Sequence, residues 1–524
     1  NRWEFDSERG WLTARRFPDG NATRYQYTPA GRLRTQIWAR ASVTNRLRYG
    51  FEEGGGAPAT GDLRRIDYDG VVDLEGVAIG RNSRFEYDRL GRLTAEQQVS
   101  ATSGAVLTRV EYQLNEAGQR TNEVWTAGPL ANRTVARTYD NVRRVTNLVA
   151  RLSGTPFLNV GYGYDVAGRM SLVQDGALSA AYSYEPNSHL ASQILFKSGS
   201  TVIANTTRKF DRLDRILNQT TAGTATSGST LLGVDYDYNH LGQRTEARYL
   251  DGTYWRYAYD RLGQVTSARH FWADGTAVLG QQFTYGYDDS GNRTSDGRGG
   301  DALGQLRLTT YVNSVLDRPT SVANHRYSEV QGAAQATAAV TVNGTSTERQ
   351  GEYFRKELTA SGIQPAWQNV DVSVAGGSSI SGRKTYVPPQ AEAIAHDLDG
   401  NLMADGRWQF GWDGENRLVD IRTRDEAYTN GVPRQRIRFD YDAGGRVLER
   451  REFVWSAGAW SAVRTNRYLY DGWQCIAEFN GSGATQRTHV WGLDISESRR
   501  GAGGLGGLLW LNTATNGTHV AAYD

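Results

Sequence analysis

Hydrophobic and polar residues alternate in short stretches along most of this chain, as in Thr253-Tyr254-Trp255-Arg256-Tyr257-Ala258-Tyr259. Alternation at period two marks a strand with one buried face. A recurring step, Tyr-Asp-x-x-Gly-Arg-Leu, punctuates the stretches. Its clearest copies place Tyr87, Asp88 and Gly91, then Tyr164, Asp165 and Gly168, then Tyr259, Asp260 and Gly263, then Tyr287, Asp288 and Gly291. Other copies begin at Phe5, Tyr27, Phe51-Glu52, Tyr112, Tyr139, Tyr184, Phe210, Tyr238 and Tyr311. A unit repeated every 20 to 28 residues or so predicts an array built from one supersecondary element. Each unit reads as two antiparallel strands, with Asp-x-x-Gly as the hairpin turn.

The turn has a chemical rationale. Its Asp accepts hydrogen bonds from amides just ahead of it, closing an Asx-type turn. The glycine three residues later takes positive φ, as in a type I turn followed by a G1 bulge. The Leu, Val or Ile two residues further returns to the buried face. Asp214 and Asn416 stand in the glycine slot of two copies, and Asp and Asn tolerate the left-handed region best among non-glycine residues. Arg143 and Ser188 occupy the same slot and fit it less well.

Between about Ser328 and Ala395 the rhythm stops. Ala338-Ala339-Val340-Thr341-Val342 and Val370-Asp371-Val372-Ser373-Val374 alternate like short strands, and Asn343-Gly344 is a strong turn signal. These boundaries divide the chain into an array over 1–327, a small β-sandwich-like module over 328–395 and a further repeat-bearing segment over 396–524. The last segment carries the copies Trp412, Asp413 and Asn416, and Tyr470, Asp471 and Gly472. The fold class is all-β.

Composition narrows the functional classes. The chain holds 59 basic and 57 acidic residues, mixed along its length, which argues against a nucleic-acid binder with its basic residues gathered on one face. Nearly all the bases are Arg, and the lysines are Lys197, Lys209, Lys356 and Lys384. With 28 Tyr, an Arg/Tyr/Asp ladder is a reasonable structural adhesive. The single cysteine, Cys475, excludes an internal disulfide and reads as a buried structural thiol. No apolar run approaches the roughly 18 residues of a membrane span. The chain opens at Asn1 without Met and stops at Tyr523-Asp524 in mid-motif, so it reads as an excised fragment.

Candidate chemistry dissolves on inspection. Asp397, Asp399 and Asn401 faintly suggest a calcium loop, but the sixth and twelfth positions are Leu402 and Trp408 where Gly and Glu are needed. The same residues fit the repeat turn with His396 in the Tyr slot. The glycines from Gly501 to Gly507 lack the Gly-Lys-Ser/Thr of a phosphate cradle. The histidines are scattered, and neither His-Glu-x-x-His nor Gly-x-Ser-x-Gly occurs. Neither catalytic, metal nor cofactor residues are assigned. Trp408, Trp412, Trp455, Trp460 and Trp473 raise glycan stacking as an option, against sheet packing as the stronger one.

In these motifs the chain resembles the Rhs/YD-repeat proteins, and especially bacterial members that end in an Rhs-associated core. The repeat likeness runs from Phe5 to Tyr311. The core likeness runs from His396 to Asp524, through Phe439-Asp440-Tyr441-Asp442-Ala443-Gly444-Gly445-Arg446-Val447 and Val490-Trp491-Gly492-Leu493-Asp494. The resemblance implies a β-strip that spirals into a hollow shell or barrel and houses a C-terminal effector or toxin of the same polypeptide, placed beyond Asp524. Secretion or bacterial surface display follows from the resemblance alone. Teneurin relatives imply the alternative, an adhesion protein that binds glycans or a cell-surface partner. The self-cleaving aspartyl site of many members depends on an Asp-Pro pair, which this chain lacks. Physics favours coiling, because an open strip leaves two unpaired edges and a half-exposed apolar face.

Overall fold

The computed structural model of the chain describes residues 2–40, 46–51, 62–223, 230–301 and 303–523. Its strands form one long antiparallel meander. In a 27-stranded sheet each strand from Arg2–Phe5 to Pro319–Ala323 pairs with the next in sequence, and Ala391–Ala393 completes the sheet beside Pro319–Ala323. A second, 11-stranded sheet begins at Ala395–His396 and ends at Gly517–Val520. The two are continuous in backbone. Residues 391–394 bond to the strand behind them, with Ile394 N donating to Thr320 O at 2.9 Å, while Ala395–His396 pairs with Leu402–Ala404 ahead. The one α-helix among the described residues is Asp425–Thr429.

Each motif hairpin carries a bulge where the Tyr enters the turn. Tyr87 faces Leu93, Tyr164 faces Met170, Tyr259 faces Val265 and Tyr287 faces Arg293, each after a register shift. The extra residue bends the strand and increases its twist, which helps a long strip to curve.

The strip folds back on itself. Val135, Leu148, Ala150, Val160 and Val173 of the long sheet form one core with Leu448, Leu469, Phe479, Val490 and Trp510 of the second sheet. These side chains are buried at or close to 0% exposure, so the two faces pack as in a sandwich. In the long sheet this shared core ends at Ala204. Cross-strand partners carry the same face onward from Val234 through Tyr249 and from Ala247 to Trp255, His270 and Phe283. There the Trp255 and His270 rings stack at 4.7 Å with an interplanar angle of 2°.

The interruption of the repeats is an excursion from one hairpin of the strip. The chain leaves at Asn324 and returns at Gln390, where Asn324 N donates to Gln390 O at 2.8 Å. Residues 391–395, which the sequence placed in the module, therefore lie on the strip. Within the excursion a three-stranded and a four-stranded sheet share a small core of Val340, Val342, Phe354 and Leu358. Asn343 and Gly344 both take positive φ, the I′ turn expected of Asn-Gly. The module rests on the long sheet through Arg307, which forks to Glu357 at 2.6 and 2.9 Å, and through Tyr353 OH, which donates to Leu279 O at 2.7 Å.

Four copies depart from the sequence reading. Asn115 caps the turn assigned to Tyr112 and puts Leu114 in the Tyr slot; Ser314 caps the one assigned to Tyr311 and puts Asn313 there. Both tyrosines lie two residues upstream on the same face, a slip that period two cannot resolve. At Glu185-Pro186-Asn187-Ser188 positive φ falls on Asn187, with Glu185 N bonded to Leu190 O, so Ser188 is spared the strain. Proline followed by a positive-φ residue is the type II turn pattern. In the fourth, Asp471 pairs with Gln474 across a two-residue turn in which Gly472 has φ 63°. Asp471 is therefore free to leave the turn. The turn after Phe51-Glu52 lies outside the described residues.

Candidate functional site: the turn ladder and the seam

The motif turns share one geometry. Asp88 Oδ1 accepts from the amides of Leu90 at 2.9 Å and Arg92 at 3.0 Å, and its Oδ2 takes Arg92 Nε at 2.6 Å. Asp165 binds the amide and Nε of Arg169, each at 2.8 Å. Asp413 binds the amides of Glu415 and Arg417 at 2.9 Å and Arg417 Nε at 2.7 Å. Asp260 caps Leu262 and Gln264, and Asp288 caps Ser290 and Asn292. Gly91, Gly168, Gly263 and Gly291 have φ between 72° and 84°, and Asn416 follows at 59°. The Arg92 amide holds the Asp88 carboxyl below its ordinary range against the opposing push from burial, with the Arg92 guanidinium and the Leu90 amide adding to it.

Along much of the strip the motif ring latches one turn to its neighbour. Tyr164 OH donates to Val145 O at 2.8 Å, Tyr259 OH to Arg244 O at 2.6 Å, Tyr287 OH to Val265 O at 3.0 Å and Tyr470 OH to Val447 O at 2.8 Å. In each of these the acceptor lies five positions after the residue that caps the preceding turn, namely Asp140, Asn239, Asp260 and Asp442. Where Trp replaces Tyr, its indole N–H makes the same bond: Trp412 to Leu402 O and Trp491 to Cys475 O, both at 2.7 Å. The motif arginine also reaches forward. Arg144 lies 4.3 Å over the Tyr164 ring and Arg446 lies 5.3 Å over Tyr470, while Arg446 NH1 donates to Gly472 O at 2.6 Å. One arginine thus neutralises its own cap, covers the next ring and satisfies the next turn.

A seam joins the second sheet to the first arm of the strip. Asp471, 1% exposed, receives Arg137 at 2.7 Å and Arg499 at 2.6 Å, with Arg500 also bound, and Arg137 reaches Glu123 at 2.9 Å. Burial alone pushes the Asp471 carboxyl up; the three guanidinium charges outweigh it and hold it well below the carboxylate range. Arg436 bridges Asp420 at 2.6 Å to Asp73 at 3.0 Å. The turn at Asp397 is a repeat turn: its Oδ1 accepts from Asp399 and Asn401 amides. Asp399 turns outward to the Ala39 amide at 2.6 Å, and Tyr68 OH meets Glu415 at 2.6 Å. Breaking one partner of such a buried pair is costly, even where the intact pair adds little net stability.

Against this geometry stands one match of sequence. The family model described as RHS Repeat covers residues 6–37, one motif hairpin with its neighbours, and the same hairpin chemistry recurs along the strip. The chain carries an RHS repeat. A search of curated protein sequences gives no match. Among solved structures, the crystal structure of TcdB2-TccC3-Cdc42 is 12% identical at TM-score 0.30, over 94% of this chain and 32% of that one. TcdB2-TccC3-TEV is 14% identical at TM-score 0.30, over 94% and 30%. The Tc holotoxin pore of Photorhabdus luminescens is 12% identical at TM-score 0.31, over 90% and 30%. The chain spans about a third of the length of those chains.

Of the repeat residues named from sequence, Asp88, Asp165, Asp260, Asp288 and Asp413 cap turns and Tyr164, Tyr259, Tyr287 and Trp412 make latches, while Asp471 works in the seam. The forward reach of the arginine and the hydroxyl latch were missed. The signal for the latch lay in Trp412, since Tyr and Trp share a donor at the far end of an aromatic ring. The tryptophans raised for glycan stacking are mostly engaged. Trp455 and Trp460 pack edge to face at 5.1 Å, Trp460 Nε1 binds Glu75, and Trp473 is the exposed member at 67%. Burial pushes the Cys475 thiol up to about 12, in keeping with an inert group. Among the described residues no helix is long and apolar enough to cross a membrane, and no group of three or more His, Cys, Asp or Glu side chains is placed to hold a metal.

Proposed function

We propose that this chain is wall, not catalyst: a segment of an exported bacterial shell that encloses, and helps to deliver, a C-terminal effector of the same polypeptide. The observation that carries this reading is the seam, in which Arg137 of the first arm closes on Asp471 across 334 residues of chain. A strip that coils and bolts to itself bounds a volume. Where the second sheet packs, that volume is filled by side chains. The wall we assign to the cargo is the continuation of the same face beyond Ala204, around half-buried Trp255 and Tyr257. Recognition of glycans or a cell-surface protein by the tryptophans of the last third has less support, because all but Trp473 pack against the protein itself.

The test uses the full open reading frame with its natural C-terminal region. Limited proteolysis of the wild type should spare that region, while Arg137→Ala with Asp471→Ala should expose it at the same protease dose. Equal cleavage in both proteins would sink the container reading.

A further inference from the structure

The second sheet has another face. Leu469, Phe479 and Val490 point into the shared core, so their strand neighbours Asn466, Glu478 and Arg487 point away from it. On that outer face Arg464, Asn466, Glu478, Asn480, Gln486 and Arg487 line a groove of about 540 Å³. This falls within the range of small-ligand sites, about 300–1,000 Å³.

The chemistry of the lining is specific. Arg464 is exposed and has no carboxylate partner among the described residues. Arg487 is half exposed, and its nearest carboxylate oxygen, on Glu478, is 3.9 Å away. Both guanidinium forks are thus open to a planar anion, which Arg binds in two-point fashion. Between them stand the amides of Asn466 and Gln486, which both donate and accept, the Asn480 amide, whose oxygen already caps Ser482 and Ala484 and which has its N–H groups to offer, and the Glu478 carboxylate, which accepts. Hydroxyl groups satisfy that mixture. The lining offers no aromatic ring, so nucleobases find no stacking surface here.

We propose that this groove is a binding site for an acidic, hydroxyl-rich saccharide, a uronate, with its carboxylate on Arg464 or Arg487 and its hydroxyls on the amides and Glu478. The site is independent of the shell reading and of the tryptophans.

Titration calorimetry of the purified chain with a hexauronate, in about 150 mM salt where simple charge attraction is screened within about 8 Å, tests it. Binding of the hexauronate, with maltohexaose at least about tenfold weaker, is expected. Arg464→Ala and Arg487→Ala should each weaken the hexauronate by about tenfold or more, the loss typical of a hydrogen bond to a charged group. Asn466→Ala should weaken it as well, with the unfolding midpoint unchanged in all three. Absence of hexauronate binding, or full binding by the double arginine variant, overturns the proposal. Equal affinity for hexaglutamate also overturns it, by reducing the groove to a generic anion site.

Discussion

Tyr164 ends in one hydrogen bond, to Val145 O, and lies under the guanidinium of Arg144. Tyr164→Phe keeps the ring and the stack and loses only the bond, so urea unfolding should register a loss of about 1 kcal/mol. Arg143 tells the opposite story. It holds φ 70° in the glycine slot, and its side chain is exposed. A left-handed non-glycine residue costs about 1–2 kcal/mol, and glycine gives back part of that through chain entropy. Arg143→Gly should therefore stabilise by up to about 1 kcal/mol, and Asp214→Gly, at φ 62°, by less because Asp tolerates this region. The difference in urea midpoint between the two variants measures how much the turn itself demands. Such residues were legible in the sequence because the turn is local: Asp, Gly and Arg sit within five positions. Asp471 was misread for the same reason, since nothing local distinguishes a cap from a bolt.

At the scale of elements, the hairpin fixes what can be changed. Asn324 and Gln390 meet as neighbouring strand residues, so the whole excursion hangs from one pair of adjoining ends. Replacing residues 325–389 by Asn-Gly should give a chain that still folds, because that dipeptide closes a two-residue hairpin. A monomeric peak in size exclusion with retained β-sheet circular dichroism is the expected result, and aggregation would contradict it. The meander and the hairpins were readable from alternation and turn residues. The return of the chain along 391–396 was not, since a strand of so few residues carries too little period to register. Nor was the seam readable, as partners hundreds of residues apart leave no spacing to count.

For the whole molecule, closure depends on buried charge. Asp471→Ala removes the buried carboxylate shared by Arg137, Arg499 and Arg500, leaves Arg137 to Glu123 alone, and should cost about 3–5 kcal/mol, the usual penalty for removing one partner of a buried pair. The pH dependence has two opposing parts. Burial, first among the causes, raises Glu96, Asp399 and Glu497 above their ordinary values. Their folded-state penalty is therefore present at neutral pH and is relieved as pH falls toward the unfolded carboxylate range, about 4. The turn aspartates such as Asp88 and Asp165, together with Asp471, are held low. Their contribution is complete above about pH 4 and disappears as pH falls below it. Thermal melts across pH should therefore rise modestly from pH 7 toward mild acid and fall steeply below about pH 4.

The long reach of the Arg137 to Asp471 contact bears on damage. In a chain held only by its backbone, one cut separates two pieces. Here the tract between those two residues is spanned twice, once by peptide bonds and once by packed sheets and buried ions. A single cleavage at an exposed hairpin tip such as Ser198-Gly199-Ser200 leaves the fragments clasped. The strip can be nicked there without coming apart, so peptide continuity over that tract is redundant.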